Sequence, residues 1–142
     1  MKSLVAAAAL AVSFIAPAAL ACEGEGHNAA AAAPKKATVA EVLKLQKTDK
    51  AQAVDANSAD FRAKNGVIPG AILLTSSSQY AATELPQAKD SKLVFYCAGE
   101  KCSSSHQAAA RAIENGYTNV YVMPEGMTGW KKAGQKTAKP NS

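Results

Sequence analysis

Residues 93–105 read Leu-Val-Phe-Tyr-Cys-Ala-Gly-Glu-Lys-Cys-Ser-Ser-Ser. Four apolar residues, typical of a buried parallel strand, run directly into Cys97, a compact loop follows, and an Ala-rich helical pattern begins near Ser103. A strand that passes through a short loop into a helix leaves the cysteine where backbone N–H groups converge. Such a position lowers the pKa of a thiol and stabilises negative charge on sulfur. We therefore predict that Cys97 is a nucleophile.

The segments around this stretch predict alternating strands and helices. The predicted order is a helix opened by a capping box at Thr38–Glu41, a strand over Ala51–Ala56, a short helix capped by Ser58, a strand over Ile72–Leu74, a helix beginning within Thr75–Glu84, the Leu93–Tyr96 strand, a helix from about Ser103 to Glu114, a strand over Val120–Met123 and a short terminal helix. This alternation predicts an α/β fold with a small, mostly parallel sheet of four or five strands, flanked by helices on both faces.

The length of 142 residues leaves room for one folded domain. The N-terminus has the pattern of an export signal: Lys2, an apolar run from Leu4 to Ile15, and a small-x-small cleavage site at Ala19-Leu20-Ala21. We predict a signal peptide at 1–21, a flexible Ala-rich leader at 22–37, a folded domain at 38–134 and a basic tail at 135–142. The protein is therefore expected to be periplasmic or otherwise exported.

Cleavage after Ala21 would leave Cys22 at the mature N-terminus, as in a lipidated bacterial lipoprotein. The usual lipobox has Leu three places before the cysteine, whereas here that place is Ala19 and Leu20 comes one place late. Plain secretion and lipidation both stay open, and contact with a membrane is expected only if Cys22 is lipidated. Cys22 and His27 are too few ligands for a structural zinc site, so we expect no metal and no cofactor.

The formal net charge of +5 does not indicate a nucleic-acid partner. Without Lys2 the chain has fifteen basic and eleven acidic residues, and much of the excess lies near the two ends. No basic stripe interleaved with aromatic residues is present, so nucleic-acid binding is not expected. We expect a monomer whose partners are small molecules.

Five motifs together resemble the rhodanese-like sulfurtransferase family over about residues 38–134. In chain order they are Asp55, Gly66-Val67-Ile68-Pro69-Gly70-Ala71, the strand ending at Cys97, Gly116-Tyr117, and Gly126-Met127-Thr128-Gly129-Trp130. The resemblance implies that Cys97 carries sulfane sulfur as a persulfide, which needs no metal. The implied partners are a small sulfur-containing anion, such as thiosulfate or polysulfide, and a thiol acceptor.

Three positions depart from the family pattern. Asn57 stands where an arginine usually follows the first strand's aspartate, and Val67 stands where histidine is usual. Cys102 occupies the sixth position of the loop, where active members often have arginine. The last departure bears directly on how the loop handles an anionic donor.

The loop itself supplies the predicted substrate-binding residues: Ala98, Gly99, Glu100, Lys101 and Ser103. A persulfide is negatively charged on its outer sulfur, and the backbone N–H groups of this loop can donate to it. Gly99 permits unusual backbone angles, and Lys101 is the cation within the loop that could attract an anionic donor. Ser103 either caps the following helix or donates to the sulfur.

Cys102 has three readings, and the sequence leaves them open. It is a resolving thiol that attacks the Cys97 persulfide and releases sulfide, or the partner in a standing disulfide with Cys97, or a small residue in the place of arginine. His106, one turn into the helix, is expected at the surface.

The function predicted from these residues is an exported sulfurtransferase that holds sulfur on Cys97. One alternative is a thiol–disulfide redox module that uses Cys97 and Cys102. Another is a rhodanese-like binding domain without catalysis. A phosphatase of related fold needs a loop arginine where this chain has Ser103, and we set that function aside.

Overall fold

The structure is a computed structural model that describes residues 32–140. The elements are β1 (Lys35–Lys36), α1 (Val39–Asp49), β2 (Gln52–Asp55), α2 (Ala59–Asn65), β3 (Ile72–Leu73), a 3-10 turn (Ala82–Glu84), β4 (Lys92–Tyr96), α3 (Ser104–Glu114), β5 (Asn119–Met123) and α4 (Gly126–Lys132).

The five strands form one parallel sheet in the order β1-β5-β4-β2-β3. This confirms the predicted α/β class, with five strands. The central strand is β4, which pairs with β5 on one side and β2 on the other. Because parallel strands end at the same edge of a sheet, the residues that follow β2, β4 and β5 are gathered there, and Cys97 is among them.

Both faces of β4 are buried, as a continuous apolar run predicts. Leu93 and Phe95 contribute to one hydrophobic cluster, and Val94 and Tyr96 contribute to the cluster on the opposite face. The covering residues are Ala108, Ala109 and Ala112 of α3 on the first face, and Val42 of α1, Phe61 of α2 and Trp130 of α4 on the second.

Two helices begin where their caps predict. The Thr38 side-chain oxygen accepts a hydrogen bond from the Glu41 N–H at 3.3 Å, and the Glu41 carboxylate accepts one from the Thr38 N–H at 2.8 Å. The Ser58 side chain accepts a hydrogen bond from the Phe61 N–H at 3.3 Å. These bonds satisfy N–H groups that a helix cannot pair internally. The bonds from Thr38 also lower the pKa of Glu41.

The prediction that a helix begins within Thr75–Glu84 is wrong, because this segment is a loop that ends in the 3-10 turn. The Glu84 carboxylate accepts hydrogen bonds from the Thr75 N–H at 2.8 Å and the Ala81 N–H at 2.9 Å. The buried Tyr80 side chain donates from its hydroxyl to the Ala108 carbonyl at 2.8 Å. The Glu84 bonds stay within the segment and the Tyr80 bond reaches α3, and together they hold the segment as a loop.

Lys35 and Lys36, which the sequence assigns to the flexible leader, form the edge strand β1 beside β5. The Ala37 N–H extends this pairing with a 2.9 Å hydrogen bond to the Val122 carbonyl, and Ala37 is buried. Backbone pairing makes this segment a strand although its side chains are exposed lysines.

The first residues of the predicted basic tail pack against the domain. The Trp130 indole N–H donates to the Lys136 carbonyl at 2.9 Å, and Val67 and Ala138 exchange two 2.9 Å backbone hydrogen bonds. Gly66 allows this approach, since a Cβ there would lie 2.9 Å from the Ala138 carbonyl oxygen. The tail is thus held to the start of the Val67–Ala71 turn.

Within residues 32–140 no helix combines the length and apolarity needed to cross a bilayer. The predicted signal peptide, the first part of the leader, Cys22 and His27 lie outside the described residues. Export and lipidation therefore stay predictions.

Candidate functional site

The end of the central strand places Cys97 at the carboxyl edge of the sheet, immediately after Tyr96. Only 1% of its surface is exposed. The sulfur lies beside the first turn of α3, because Sγ is 3.3 Å from the hydroxyl oxygen of Ser105, the second residue of that helix. The N–H groups of a first turn have no partner within the helix and give that end partial positive charge. This is the position that the strand–loop–helix pattern predicts for the thiol.

Cys97 and Cys102 form a disulfide, with their Cα atoms 6.3 Å apart. Of the three interpretations of Cys102, the structure therefore corresponds to the second, in which Cys102 forms a disulfide with Cys97. The four residues between them form a tight loop in which the Cys102 N–H donates to the Gly99 carbonyl at 2.9 Å.

The polar neighbours of Cys97 in this oxidised form are not backbone amides. The Ser105 hydroxyl oxygen lies 3.3 Å from Sγ, and the Cys102 carbonyl oxygen lies 3.2 Å from it. Because a disulfide sulfur carries no hydrogen, the Ser105 hydroxyl is the group that can donate in its contact. Among the described residues no backbone N–H donates to this sulfur, so the predicted amide cradle is not formed here. The loop amides that have no protein acceptor within 32–140 are those of Ala98, Gly99, Glu100, Lys101 and Ser103.

Ser103 and Ser105 have roles that the sequence does not distinguish. Ser103 is exposed, has helical backbone angles (φ −89°, ψ −10°) and makes no capping hydrogen bond. A capping serine normally has extended angles, which bring its oxygen back over the helix N–H groups. Ser105 is 1% exposed and contacts the sulfur, and sequence reasoning missed it. Its place in the first turn of the helix predicted to follow the cysteine loop is the signal that could have found it.

The start of α4 holds the first part of the loop. The Met127 N–H donates to the Cys97 carbonyl at 2.8 Å, and the Thr128 N–H donates to the Ala98 carbonyl at 3.0 Å. Gly126 has φ +54°, and a Cβ there would lie 2.7 Å from the Gly99 nitrogen and closer still to the Cys97 carbonyl oxygen. Only glycine permits this approach, which explains the first glycine of the Gly126–Trp130 motif.

Cys102 opens onto a surface depression of about 620 Å³. Its lining residues are Ala98, Gly99, Glu100, Lys101, Cys102, Glu125, Thr128, Gly129 and Lys132. Lys132 is a second cation that sequence reasoning missed, because α4 brings it to the loop from thirty residues away. The two lysines face two glutamates, so the formal charge of the lining cancels. Glu125 also has a buried carboxylate oxygen, Oε2, without a hydrogen-bond partner among the described residues.

The family departures have structural counterparts at the end of β2. Arg62, not the residue at position 57, pairs with the buried Asp55 carboxylate, at 3.2 Å. Its Nη2 also donates to the carbonyls of Asp55 and Leu74, at 2.9 and 2.8 Å.

Burial, reinforced by the Asp55 carboxylate, raises the pKa of Tyr96 well above its usual range. The Tyr96 hydroxyl therefore stays protonated and accepts a 3.0 Å hydrogen bond from the Ile68 N–H.

Two further residues named in the sequence analysis, His106 and Lys101, lie at the surface. His106 is exposed, as expected, and Lys101 is exposed on the rim of the depression. Residues 32–140 contain no cluster of three or more His, Cys, Asp or Glu side chains suited to holding a metal ion.

The family model of the rhodanese-like domain matches residues 38–133. The chain belongs to the rhodanese-like domain family. No curated protein resembles it closely enough to count as a relative.

Among solved structures, this rhodanese-like domain is similar to a single-domain sulfurtransferase from Saccharomyces cerevisiae. The two are 28% identical with a TM-score of 0.60, over 77% of this chain and 98% of that one. A protein of unknown function from Rhodopseudomonas palustris, described as a possible tyrosine phosphatase, is 25% identical with a TM-score of 0.60, over 73% and 84%. A Bacillus halodurans protein at 22% identity, with a TM-score of 0.61 over 72% and 74%, shares the fold. The domain and its sulfurtransferase neighbour support a sulfurtransferase-type role at the level of the family.

Proposed function

We propose that this chain is an exported sulfurtransferase that carries sulfane sulfur as a persulfide on Cys97 and passes it to a thiol or another nucleophilic acceptor. The observation that carries the proposal is the place of Cys97: its sulfur lies at the carboxyl edge of the sheet, beside the first turn of α3. A thiolate or persulfide there is stabilised by the helix N-terminus without a separate cation.

The proposed reaction has two nucleophilic steps. The Cys97 thiolate attacks the outer sulfur of a donor such as thiosulfate or polysulfide, and the remainder of the donor leaves with the bonding electron pair. The acceptor thiolate then attacks the outer sulfur of the persulfide, and Cys97 leaves as a thiolate. The five loop amides without acceptors support this reaction, because a persulfide gives them a negatively charged partner.

The disulfide means that this reaction begins from the reduced loop. While Cys97 is bonded to Cys102 it has no thiolate to attack a donor. Two electrons, supplied by two external thiols that are oxidised to a disulfide, are therefore needed before sulfur is loaded.

Mass spectrometry of the reduced chain tests the proposal. After treatment with thiosulfate or polysulfide, the expected adduct is about 32 Da, one sulfur atom, on Cys97. Cys97→Ser should lose the adduct, whereas Cys102→Ser should accumulate it, since no neighbouring thiol is left to remove the sulfur. The proposal fails if no donor loads sulfur onto Cys97 of the reduced protein.

A thiol–disulfide redox module is the second candidate, and the Cys97–Cys102 disulfide is the observation that favours it. In that case both cysteines are needed for turnover. The Cys102→Ser variant separates the two functions: retained sulfur transfer to cyanide or a thiol favours the sulfurtransferase, and loss of all turnover favours the redox module.

Export and a monomeric state belong to the same proposal. The N-terminal pattern of Lys2, the Leu4–Ile15 apolar run and the Ala19–Ala21 site supports export. The intact mass of the chain recovered from the producing cell checks it, because a mature N-terminus at Cys22, with or without lipid, has a distinct mass.

A further inference from the structure

The two cysteines of the disulfide differ in their exposure to solvent. Cys97 is 1% exposed and does not line the surface depression. Cys102 is partly exposed and lines it. An incoming group therefore meets the sulfur of Cys102 first.

We propose that an external thiolate enters the disulfide at Cys102 and expels Cys97. The new bond joins the entering sulfur to Cys102 Sγ, the Cys97–Cys102 bond breaks, and its electron pair leaves on Cys97 as a thiolate. A second external thiolate then attacks the mixed disulfide on its outer sulfur and releases Cys102. The net change is two-electron reduction of the loop, with two external thiols oxidised to a disulfide. This step deepens the proposed function, on which it rests, because it supplies the reduced Cys97 that accepts sulfur.

The surroundings of Cys97 suit a leaving group. Thiol–disulfide exchange is faster when the departing thiolate is stabilised and when the attacked sulfur is accessible. The Ser105 hydroxyl lies 3.3 Å from Cys97 Sγ, where it can donate to the departing thiolate, and the first turn of α3 adds its partial positive charge. Both features act on Cys97 and make it the better leaving group, while accessibility makes Cys102 the better target.

The depression has room for the entering thiol. Its volume of about 620 Å³ lies within the usual range of small-molecule sites. A neighbouring groove of about 430 Å³ shares Glu125, Gly129 and Lys132 with it and continues towards Val39 and Leu43 on α1. This space exceeds what an inorganic sulfur anion needs and accommodates a thiol of peptide size. The mixture of two lysines and two glutamates suits a zwitterionic peptide rather than a simple anion.

The sequence between the cysteines makes the entry point directly measurable. Trypsin cleaves after Lys92, Lys101 and Arg111, so Cys97 is recovered in peptide 93–101 and Cys102 in peptide 102–111. The full chain carrying Cys22→Ser, which removes the third cysteine, is oxidised and mixed briefly with reduced glutathione as the probe. The reaction is quenched with acid, free thiols are blocked with N-ethylmaleimide, and the peptides are analysed by mass spectrometry.

The expected result at the earliest times is glutathione on peptide 102–111 and maleimide on peptide 93–101, in excess over the reverse pattern by roughly tenfold. Glutathione first on peptide 93–101, or equal labelling of both, would overturn the proposal. The sulfur-loading test starts from protein already reduced by other means. Failure of entry at Cys102 and failure of persulfide formation on Cys97 are therefore separate results.

Discussion

Among residues 32–140, Ser105 is the residue whose side chain makes a hydrogen-bond contact with Cys97 Sγ. Ser105 is buried, and its hydroxyl oxygen lies 3.3 Å from Cys97 Sγ, where it can donate to a thiolate. A hydrogen bond to a charged group contributes about 1.5–3 kcal/mol, so this contact favours the thiolate once the loop is reduced. Its neighbour Ser103 has the same chemistry but is exposed and makes no such contact. Ser105→Ala can therefore be tested with Ser103→Ala, two residues away, as its matched control.

We expect Ser105→Ala to slow alkylation of Cys97 by iodoacetamide at neutral pH, roughly tenfold, because less of the thiol is ionised. The measurement uses the reduced chain with Cys22→Ser and Cys102→Ser, so that Cys97 is the sole thiol. Ser103→Ala should leave the rate unchanged. Equal rates in both variants would show that the Ser105 hydroxyl does not stabilise the thiolate.

Gly126 and Gly134 both have positive φ, at +54° and +70°, but their surroundings differ. A Cβ at Gly134 meets nothing within 4 Å, whereas one at Gly126 collides with the loop backbone. We expect Gly134→Ala to cost about 1 kcal/mol through its backbone angles alone. Gly126→Ala should cost about 3 kcal/mol or more, because the loop must also shift.

Urea unfolding of the two oxidised variants checks this prediction. The loop shift should also change the rate at which glutathione reduces the disulfide in Gly126→Ala and leave it unchanged in Gly134→Ala. Similar losses of stability in the two variants would mean that the loop adapts to the added methyl group without strain.

At the level of elements, the Thr75–Glu84 segment depends on one carboxylate. Burial raises the pKa of Glu84, but hydrogen bonds from Thr75 and Ala81 outweigh it, and the net pKa lies below its usual value of 4.5. A depressed pKa in the folded state means that the contribution to stability is present above pH 4.5. It is lost as the pH falls through the lower, folded-state value.

We expect Glu84→Gln to lower the free energy of unfolding at pH 7 by about 1–2 kcal/mol, since it weakens hydrogen bonds to a charged acceptor. The difference from the original chain should shrink as the pH falls below 4.5. Urea titrations between pH 7 and pH 3 measure it. Glu114→Gln, at an exposed position without hydrogen bonds to other described side chains, is the control. A difference that does not change with pH would contradict the assigned role of the carboxylate.

The elements predicted correctly are those determined by neighbouring residues. The Thr38–Glu41 capping box and the Ser58 cap begin helices by hydrogen bonds that span three residues. The prediction of a helix in Thr75–Glu84 was wrong, because Tyr80 finds its partner across the fold and Glu84 binds N–H groups within the segment in a loop conformation. β1 was missed because two exposed lysines carry no strand signal.

At the level of the whole molecule, the disulfide closes a short loop within a domain that has its own core. In the chain-entropy account, a loop of this length stabilises the fold by about 2 kcal/mol. The two hydrophobic clusters on either side of the sheet do not depend on it. The domain should therefore stay folded after reduction, which the sulfur-loading reaction requires.

We expect the reduced chain to unfold cooperatively, with a Tm lower than that of the oxidised chain by roughly 10 °C. Circular dichroism with and without a phosphine reductant measures the difference. Cys102→Ser should behave like the reduced chain under both conditions. Loss of the folded state on reduction would rule out a catalytic cycle that passes through the dithiol form.

The sequence by itself determined the α/β class, the places of Cys97 and Cys102 in one loop, and the family, because alternation, caps and motif order are properties of neighbouring residues. Only the tertiary structure decided that the two cysteines are bonded, that Cys97 is buried while Cys102 is partly exposed, and that Ser105, Gly126 and Lys132 lie near their loop. The exposure of each cysteine and the contacts of their loop depend on how α3 and α4 pack against the end of β4. Residues far apart in the chain become neighbours only when the sheet forms, and for that reason the pattern of the loop alone does not reveal which sulfur meets the solvent.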